Sequence, residues 1–302
     1  MYEQIAKNKR LSYVLIVIVT ALLIVLGYAI GMASGIGWFG LVFAVVIAVV
    51  MGVTSYYKGD RIVLATSQAK RVTHEDAPQL YNVVEEMAIA SGNPMPAVYT
   101  IDDSAPNAFA TGRNPEHSSI AVTTGLLEKM NREELQGVIA HEMSHVRNYD
   151  ILFATLVGIL VGAIALMADF FLRWSFWGGG RRRSNGGGQA AIIFLAIGIV
   201  MAILAPIAAR MVQLAISRRR EYLADASAVE LTRNPEGLAG ALEKIAADQE
   251  VLEVANRATA HLYIANPIKK FEKRAKGMFS THPPIEERIT VLRAMASGAP
   301  AD

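Results

Sequence analysis

Cysteine is absent from this chain of 302 residues. Its absence excludes disulfide bonds, thiolate metal sites and cysteine nucleophiles. Any metal held by protein side chains must therefore be bound by histidine and carboxylate groups. A strong charge of either sign is also missing, because the formal net charge is only +2. The composition therefore predicts no nucleic-acid partner.

Hydrophobic residues are in excess: they make up 53% of the chain, and the mean hydropathy is +0.32. They are concentrated in four apolar blocks, which is typical of membrane-spanning helices in a lipid bilayer. The first two blocks, at residues 11–30 and 36–53, are joined by a short uncharged link and predict a helical hairpin. Block one is longer than the apolar part of a usual signal peptide, and no clear A-x-A site follows it, which argues against cleavage.

Basic residues stand on both flanks of this hairpin. Lys7, Lys9 and Arg10 precede the first block, while Lys58 and Arg61 follow the second. Because cytoplasmic flanks carry an excess of lysine and arginine, both ends of the hairpin are predicted to be cytoplasmic.

The third and fourth blocks lie at residues 151–172 and 190–216, with a Gly/Arg-rich loop at 174–189 between them. If both blocks span the membrane, the arginines of this loop lie on the outer side, which the positive-inside rule disfavours. The segment 151–216 is therefore predicted either as a second transmembrane hairpin or as a re-entrant one.

The polar stretch between blocks two and three has the signals of a small α+β domain. Short β-prone runs on either side of Asn114-Pro115 predict a β-hairpin. Asn131 and Glu134 have the spacing of a capping box at the start of a helix. The predicted elements are a helix from residue 76 or 77 to near Gly92, a strand at Ala97–Ile101, the hairpin of residues 107–111 and 119–124, and the helix capped by Asn131.

An H-E-x-x-H motif lies on this capped helix at residues 141–145. His141 and His145 are four residues apart, so they project from one helix face and can share a metal ion. Glu142 can then reach a water molecule in the open coordination position and act as general base in peptide hydrolysis. The alternative is a pair of solvent-facing histidines on an amphipathic helix.

A third ligand is available just after the fourth block. Glu221 and Asp225 are four residues apart and share a helix face, so Glu221 can complete a three-ligand zinc site. Asp225 can accept a hydrogen bond from the far nitrogen of a ligand histidine. In isolation the two would be an ordinary acidic pair on a solvated helix; beside an H-E-x-x-H motif the ligand interpretation is favoured.

Topology sets a condition on this site. His141 lies between blocks two and three, and Glu221 lies after block four. They meet only if blocks three and four together cross the membrane an even number of times. Because polar residues surround the His141 helix, the site is predicted at the cytoplasmic membrane surface rather than inside the bilayer.

These motifs resemble the HtpX branch of the membrane zinc metalloproteases, a group that also includes the CAAX prenyl proteases. The resemblance covers nearly the whole chain. It is carried by the H-E-x-x-H motif, by R-R-R-E-Y-x-A-D at residues 218–225, and by the runs at residues 106–110, 234–238 and 281–284.

The resemblance implies a mainly α membrane protein, with four hydrophobic helices and an α+β zincin catalytic domain of gluzincin type with a small sheet. It also implies a heat-shock-linked zinc metalloendopeptidase of the bacterial inner membrane, multi-pass, with one zinc ion and a cytoplasm-facing active site. The expected partners are the lipid bilayer and misfolded or damaged membrane proteins as substrates, with association with other quality-control proteases left open.

Two further roles follow from this resemblance together with chemistry. Asn107, Ala108, Phe109 and Ala110 form a β-prone run that can pair with an extended substrate as an edge strand; the alternative is a plain hairpin strand. His282 can donate to the oxyanion of the tetrahedral intermediate, unless it merely caps or packs near a helix start.

The predicted organisation has four parts. Residues 1–55 form the N-terminal hairpin, 56–150 and 217–302 form the two parts of the catalytic domain, and 151–216 form the second hairpin. Three rival functions fit the sequence less well. A CAAX prenyl protease usually has more spans, a structural zinc site would need a fourth protein ligand, and a transporter would need paired breaks in its spans.

Overall fold

A computed structural model describes residues 2–33, 38–163, 218–254, 259–265 and 283–297. The fourth apolar block, the Gly/Arg-rich loop and His282 lie outside the described residues. The helices are α1 Tyr2–Ala33, α2 Trp38–Thr66, α3 Pro78–Ser91, α4 Thr124–Lys129, α5 Arg132–Arg147, α6 Asp150–Ala163, α7 Arg218–Thr232, α8 Pro235–Ala247 and α9 Ile285–Ser297. The strands are β1 Lys70–Arg71, β2 Ala97–Ile101, β3 Ala108–Asn114 and β4 His117–Thr123.

Two long helices, α1 and α2, pack against each other at the N-terminal end of the chain. Large apolar side chains of α2, among them Phe43, Val46 and Val50, are exposed. Within the described residues, Leu41–Thr66 is the one helix that by itself is long and apolar enough to cross a membrane. Helices α5 and α6 are bent by 85° against each other and would qualify only as one broken span. The expected four hydrophobic helices are therefore not confirmed, and the described residues contain one candidate span.

A small mixed sheet has the strand order β1-β2-β4-β3. Strands β3 and β4 form the predicted hairpin, while β2 pairs with β4 in parallel and β1 adds an antiparallel edge. Gly112 has φ 144°, and a Cβ there would collide with the backbone of His117 and Ser118. Glycine is therefore required at this irregular point of the hairpin.

Helix α5 carries the H-E-x-x-H motif and packs against β3, α3, α7 and α8. Its start has the predicted capping box: the Asn131 side chain accepts from the Glu134 backbone N–H at 2.9 Å, and the Glu134 carboxylate accepts from the Asn131 N–H at 2.8 Å. Val138, Ile139 and Met143 are fully buried in the same core as α3 and α8. Packing on several sides therefore fixes the helix that presents the two histidines.

Helix α8 approaches α5 closely because of a glycine. A Cβ at Gly137 would lie 2.6 Å from the backbone nitrogen of Leu238. Asn234 caps α8 by accepting from the Gly237 N–H at 3.2 Å, and Pro235 occupies the first turn of this helix. Helix α7, which precedes α8, lies along the same helix α5 and brings Glu221 toward the motif.

Candidate metal centre

The two motif histidines point their Nε2 atoms at each other. These atoms are 3.3 Å apart, and the ring centroids are separated by 4.8 Å. Each Nδ1 is engaged by a carboxylate: His141 Nδ1 lies 2.9 Å from Asp225 Oδ1, and His145 Nδ1 lies 3.0 Å from Asp150 Oδ2. Because a carboxylate only accepts, each Nδ1 carries the proton, and in the neutral rings the two Nε2 lone pairs converge.

Glu221 completes a three-sided cluster from helix α7. Its Oε2 lies 3.7 Å from His141 Nε2, and its Oε1 lies 3.7 Å from His145 Nε2. The three potential ligand atoms all lie within 4.8 Å of one another. Zinc held at about 2.0–2.2 Å from nitrogen and oxygen ligands needs neighbouring ligands roughly 3.3–3.6 Å apart in a tetrahedron. The donor types and their spacing therefore fit a zinc ion.

The electrostatics of the cluster favour a cation. Burial alone would lower the pKa of His145, but the hydrogen bond to Asp150 and the charge of Glu221 raise it to about 9. This shift reflects a strongly negative environment at the ring. Such an environment attracts a proton or a divalent metal ion, and metal binding must displace the proton.

Glu142 is buried beside the cluster, with an exposed fraction of 2%. Burial raises the pKa of its carboxyl, the imidazoles of His141 and His145 lower it, and the charge of Glu221 raises it again. The backbone N–H of Ala110 donates to the same carboxylate. A carboxyl with a raised pKa is suited to accept and return a proton near neutral pH.

Asp225 is held by an arginine that the sequence reasoning missed. Arg288 donates through Nε to Asp225 Oδ2 at 2.8 Å and through a terminal nitrogen to Oδ1 at 2.6 Å. Burial would raise the pKa of Asp225, but the charge of Arg288 and the bonds from Arg288 and His141 hold it far below its usual range. The available signal was an arginine on the apolar face of α9, between Ile285, Ile289 and Leu292.

Asp150 is the second carboxylate support, and the sequence had indicated only that it borders the third block. Its Oδ1 accepts from Arg220 at 3.0 Å and from Asn8 Nδ2 at 2.6 Å, while its Oδ2 faces His145. The partners lie 70 and 142 positions away along the chain. No local pattern connects residues at such separations, so only the folded chain reveals this group.

A small cavity of about 40 Å³ adjoins the cluster. Its wall includes His141, Glu142, Glu221 and Ala110 together with the segment 261–264. Within that segment His261 donates through Nε2 to the Ala154 carbonyl at 2.9 Å, and burial lowers the pKa of this histidine. His261 was not singled out in the sequence because it has no ligand spacing.

The predicted substrate strand lies on the sheet edge next to this cavity. Asn107, Ala108, Phe109 and Ala110 are all buried. The Ala108 carbonyl already accepts from the Ile264 N–H at 2.9 Å, and Asn107 Nδ2 donates to the Ala265 carbonyl at 3.1 Å. Phe109 packs edge-on against Tyr263, with ring centroids 5.0 Å apart. Part of the outer edge is thus paired within the chain, and the substrate role of this strand stays a prediction.

A helix with two histidines and a buried glutamate, beside a small sheet and a second acidic helix, is the arrangement of a metalloprotease. The chain belongs to peptidase family M48, whose members are zinc metalloproteases: residues 74–296 match that family. It is accordingly a membrane-associated metalloprotease.

Close relatives span essentially the same length. The chain is 47% identical over 296 residues to the protease HtpX homolog of Caldanaerobacter subterraneus, covering 98% of each chain. It is 48% identical over 297 residues to that of Streptococcus agalactiae, covering 98% of this chain and all of the relative. The crystal structure of S. mikatae Ste24p is similar at a TM-score of 0.49 and 19% identity, covering 97% of this chain and 67% of that one.

Proposed function

We propose that the chain is a zinc endopeptidase in which His141, His145 and Glu221 hold one zinc ion and Glu142 is the general base. The observation that supports this most directly is the convergence of the three ligand atoms within 4.8 Å, with both histidine Nδ1 atoms engaged by carboxylates. Imidazoles oriented in this way are the usual zinc ligands of proteins.

The chemistry divides between the ion and the chain. Zinc, when bound, lowers the pKa of its water and polarises the carbonyl of the scissile peptide. The buried Glu142 carboxylate takes a proton from the attacking water and delivers it to the leaving amine. Asp225 and Asp150 keep the two imidazoles in the tautomer that presents Nε2, and so they preserve the ligand geometry through the reaction.

Two further roles belong to the proposal. A substrate in extended form pairs with the β3 edge at Asn107–Ala110, which lies beside Glu142 through the Ala110 N–H. Pairing there requires residues 264 and 265 to give up their present bonds to Ala108 and Asn107. His282, two residues ahead of Pro284, is the candidate donor to the oxyanion.

The site works at the cytoplasmic face of a bacterial inner membrane, on misfolded or damaged membrane proteins, as part of a stress response. The basic N-terminal flank supports a cytoplasmic location of the site, because Lys9 of this flank lies 4.0 Å from the ring centroid of Tyr149, next to the catalytic helix. This contact supports a location of the flank and the catalytic unit on the same face of the membrane. The exposed apolar side chains of α2 support the membrane setting.

Casein hydrolysis by the full chain in detergent tests the chemistry. Glu142→Gln should retain zinc and lose about 10²- to 10⁴-fold in rate, because the amide cannot accept a proton. Glu133→Gln changes an exposed glutamate of the same helix and should leave the rate unchanged. A chelator should abolish the wild-type activity, and added zinc should restore it.

Full activity of Glu142→Gln with zinc bound would remove Glu142 from the mechanism. Wild-type activity that persists after complete removal of zinc would contradict the zinc endopeptidase itself.

A further inference from the structure

The N-terminal helix α1 reaches the metal centre through one buried side chain. Asn8 is fully buried, and its Nδ2 donates to Asp150 Oδ1 at 2.6 Å and to the Asn148 carbonyl at 2.9 Å. Both partners can only accept, so the amide must present its nitrogen to them. The orientation of the Asn8 side chain is therefore fixed by its surroundings.

Asp150 transmits this contact to a proposed metal ligand. Its Oδ1 accepts from Asn8 and from Arg220, while its Oδ2 accepts from His145 Nδ1. Donors from α1 and α7 thus clamp one oxygen and leave the other directed at the imidazole. A carboxylate held in this way fixes both the tautomer and the rotation of the histidine that it supports.

A second contact holds α1 at the same corner of the fold, where the chain turns from α5 into α6. The Lys9 ammonium lies 4.0 Å from the centroid of the Tyr149 ring. Tyr149 has φ 59°, which belongs to the sharp change of direction between α5 and α6. Consecutive residues of α1, Asn8 and Lys9, therefore hold consecutive residues of this corner, Tyr149 and Asp150. These contacts fix both the position of α1 along its helix axis and its rotation about that axis.

We propose that Asn8 is a positioning residue for the zinc ligand His145, acting through Asp150, so that the N-terminal helix helps to set the metal affinity of the catalytic unit. The inference rests on the proposed zinc site and goes beyond it. It assigns the first helix a part in the metal centre in addition to any anchoring in the bilayer.

The test is the zinc affinity of the full chain in detergent, measured by competition with a chromophoric chelator. Asn8→Leu keeps the branched shape of the side chain and removes the donor. Loss of a direct partner of a metal ligand weakens metal affinity by about 10- to 100-fold, and because Asn8 acts one step further out, through Asp150, zinc binding should weaken by about 10-fold. Ser12→Ala is the matched control, because Ser12 is equally buried on α1 and its hydroxyl donates to the Asn8 carbonyl of the same helix. This substitution should leave the zinc affinity unchanged.

A second variant covers the case in which leucine prevents folding. Asn8→Ser removes the contact without adding volume, and its hydroxyl can bond within its own helix. At saturating zinc, both Asn8 variants should lower kcat for casein while KM stays at the wild-type value, because Asn8 does not line the cavity beside Glu142.

An Asp150→Asn background tests the route. If Asn8 acts through Asp150, the Asn8 substitutions should have little further effect on zinc affinity there. An undiminished effect in that background, or wild-type affinity in a folded Asn8 variant, overturns the inference. If the wild-type protein binds zinc and cleaves casein and the Asn8 variants behave identically, only this inference is wrong. If the wild-type protein binds no zinc, the proposed function is wrong as well.

Discussion

At the scale of single residues, the two motif histidines have parallel supports. The His141 imidazole is hydrogen-bonded to Asp225, which in turn accepts a hydrogen bond from Arg288, and all three side chains are buried. In the same way, His145 is hydrogen-bonded to Asp150, which accepts a hydrogen bond from Arg220 of α7. Each carboxylate is paired with a buried arginine, whose positive charge offsets part of the cost of burying the carboxylate. Ionised carboxylates make the imidazoles better metal ligands.

Replacement of Arg288 should therefore affect stability and metal binding together. Arg288→Met leaves Asp225 buried without its charge partner, which should cost about 3–5 kcal/mol of unfolding free energy. Arg293→Met is the control on the same helix, because Arg293 is half-exposed and pairs with Glu243 at the surface. Thermal unfolding in detergent measures the effect. Equal midpoints for the two variants would show that the Asp225 pair is unimportant to stability.

At the scale of elements, local signals predicted much of the fold. The capping box at Asn131 and the end of α3 near Gly92 are both confirmed. Each involves neighbours in sequence, so a short window contains the whole interaction. The parallel pairing of β2 with β4 was not predicted, since its partners are joined through the intervening strand β3. Helix α2 also continues to Thr66, past the predicted apolar block.

The close approach of α5 and α8 gives a prediction at this scale. In Gly137→Ala the new Cβ would lie 2.6 Å from a backbone nitrogen of α8, so the helices must separate, at a cost of about 1–3 kcal/mol. Gly240→Ala is the control, because its Cβ would meet only the Glu134 side chain at 3.2 Å. Thermal unfolding should show a lower midpoint for the first variant. A Gly137→Ala midpoint at or above that of Gly240→Ala would contradict the tight packing.

At the scale of the whole molecule, the centre is assembled from distant parts of the chain. The proposed ligands could be predicted because H-E-x-x-H is local and Glu221 occurs in a recognisable motif. The residues that hold the ligands in place were harder to predict from the sequence. Arg288 lies 63 positions from Asp225, and Asn8 lies 142 positions from Asp150. Such pairs become neighbours only after folding. The proposed catalytic parts at 56–150 and 217–302 accordingly meet at α5, α7 and α8.

This assembly requires both catalytic parts to lie on one side of the membrane. The chain has no cysteine, so single cysteines can be labelled without background. Glu116→Cys and Glu230→Cys, at exposed positions of the two parts, should react with an impermeant maleimide in inverted vesicles and not in spheroplasts. Ser34→Cys, in the link between the first two apolar blocks, should show the opposite pattern. Labelling of positions 116 and 230 from opposite faces would rule out the metal centre.

The zinc content of purified protein tests the central claim most directly. Wild-type chain and Glu230→Ala, which changes an exposed acid of the same helix, should each retain one zinc ion per chain after dialysis. Glu221→Ala should retain little, because two imidazoles alone leave the ion without its third protein ligand. A full zinc complement with unchanged affinity in Glu221→Ala would contradict the account.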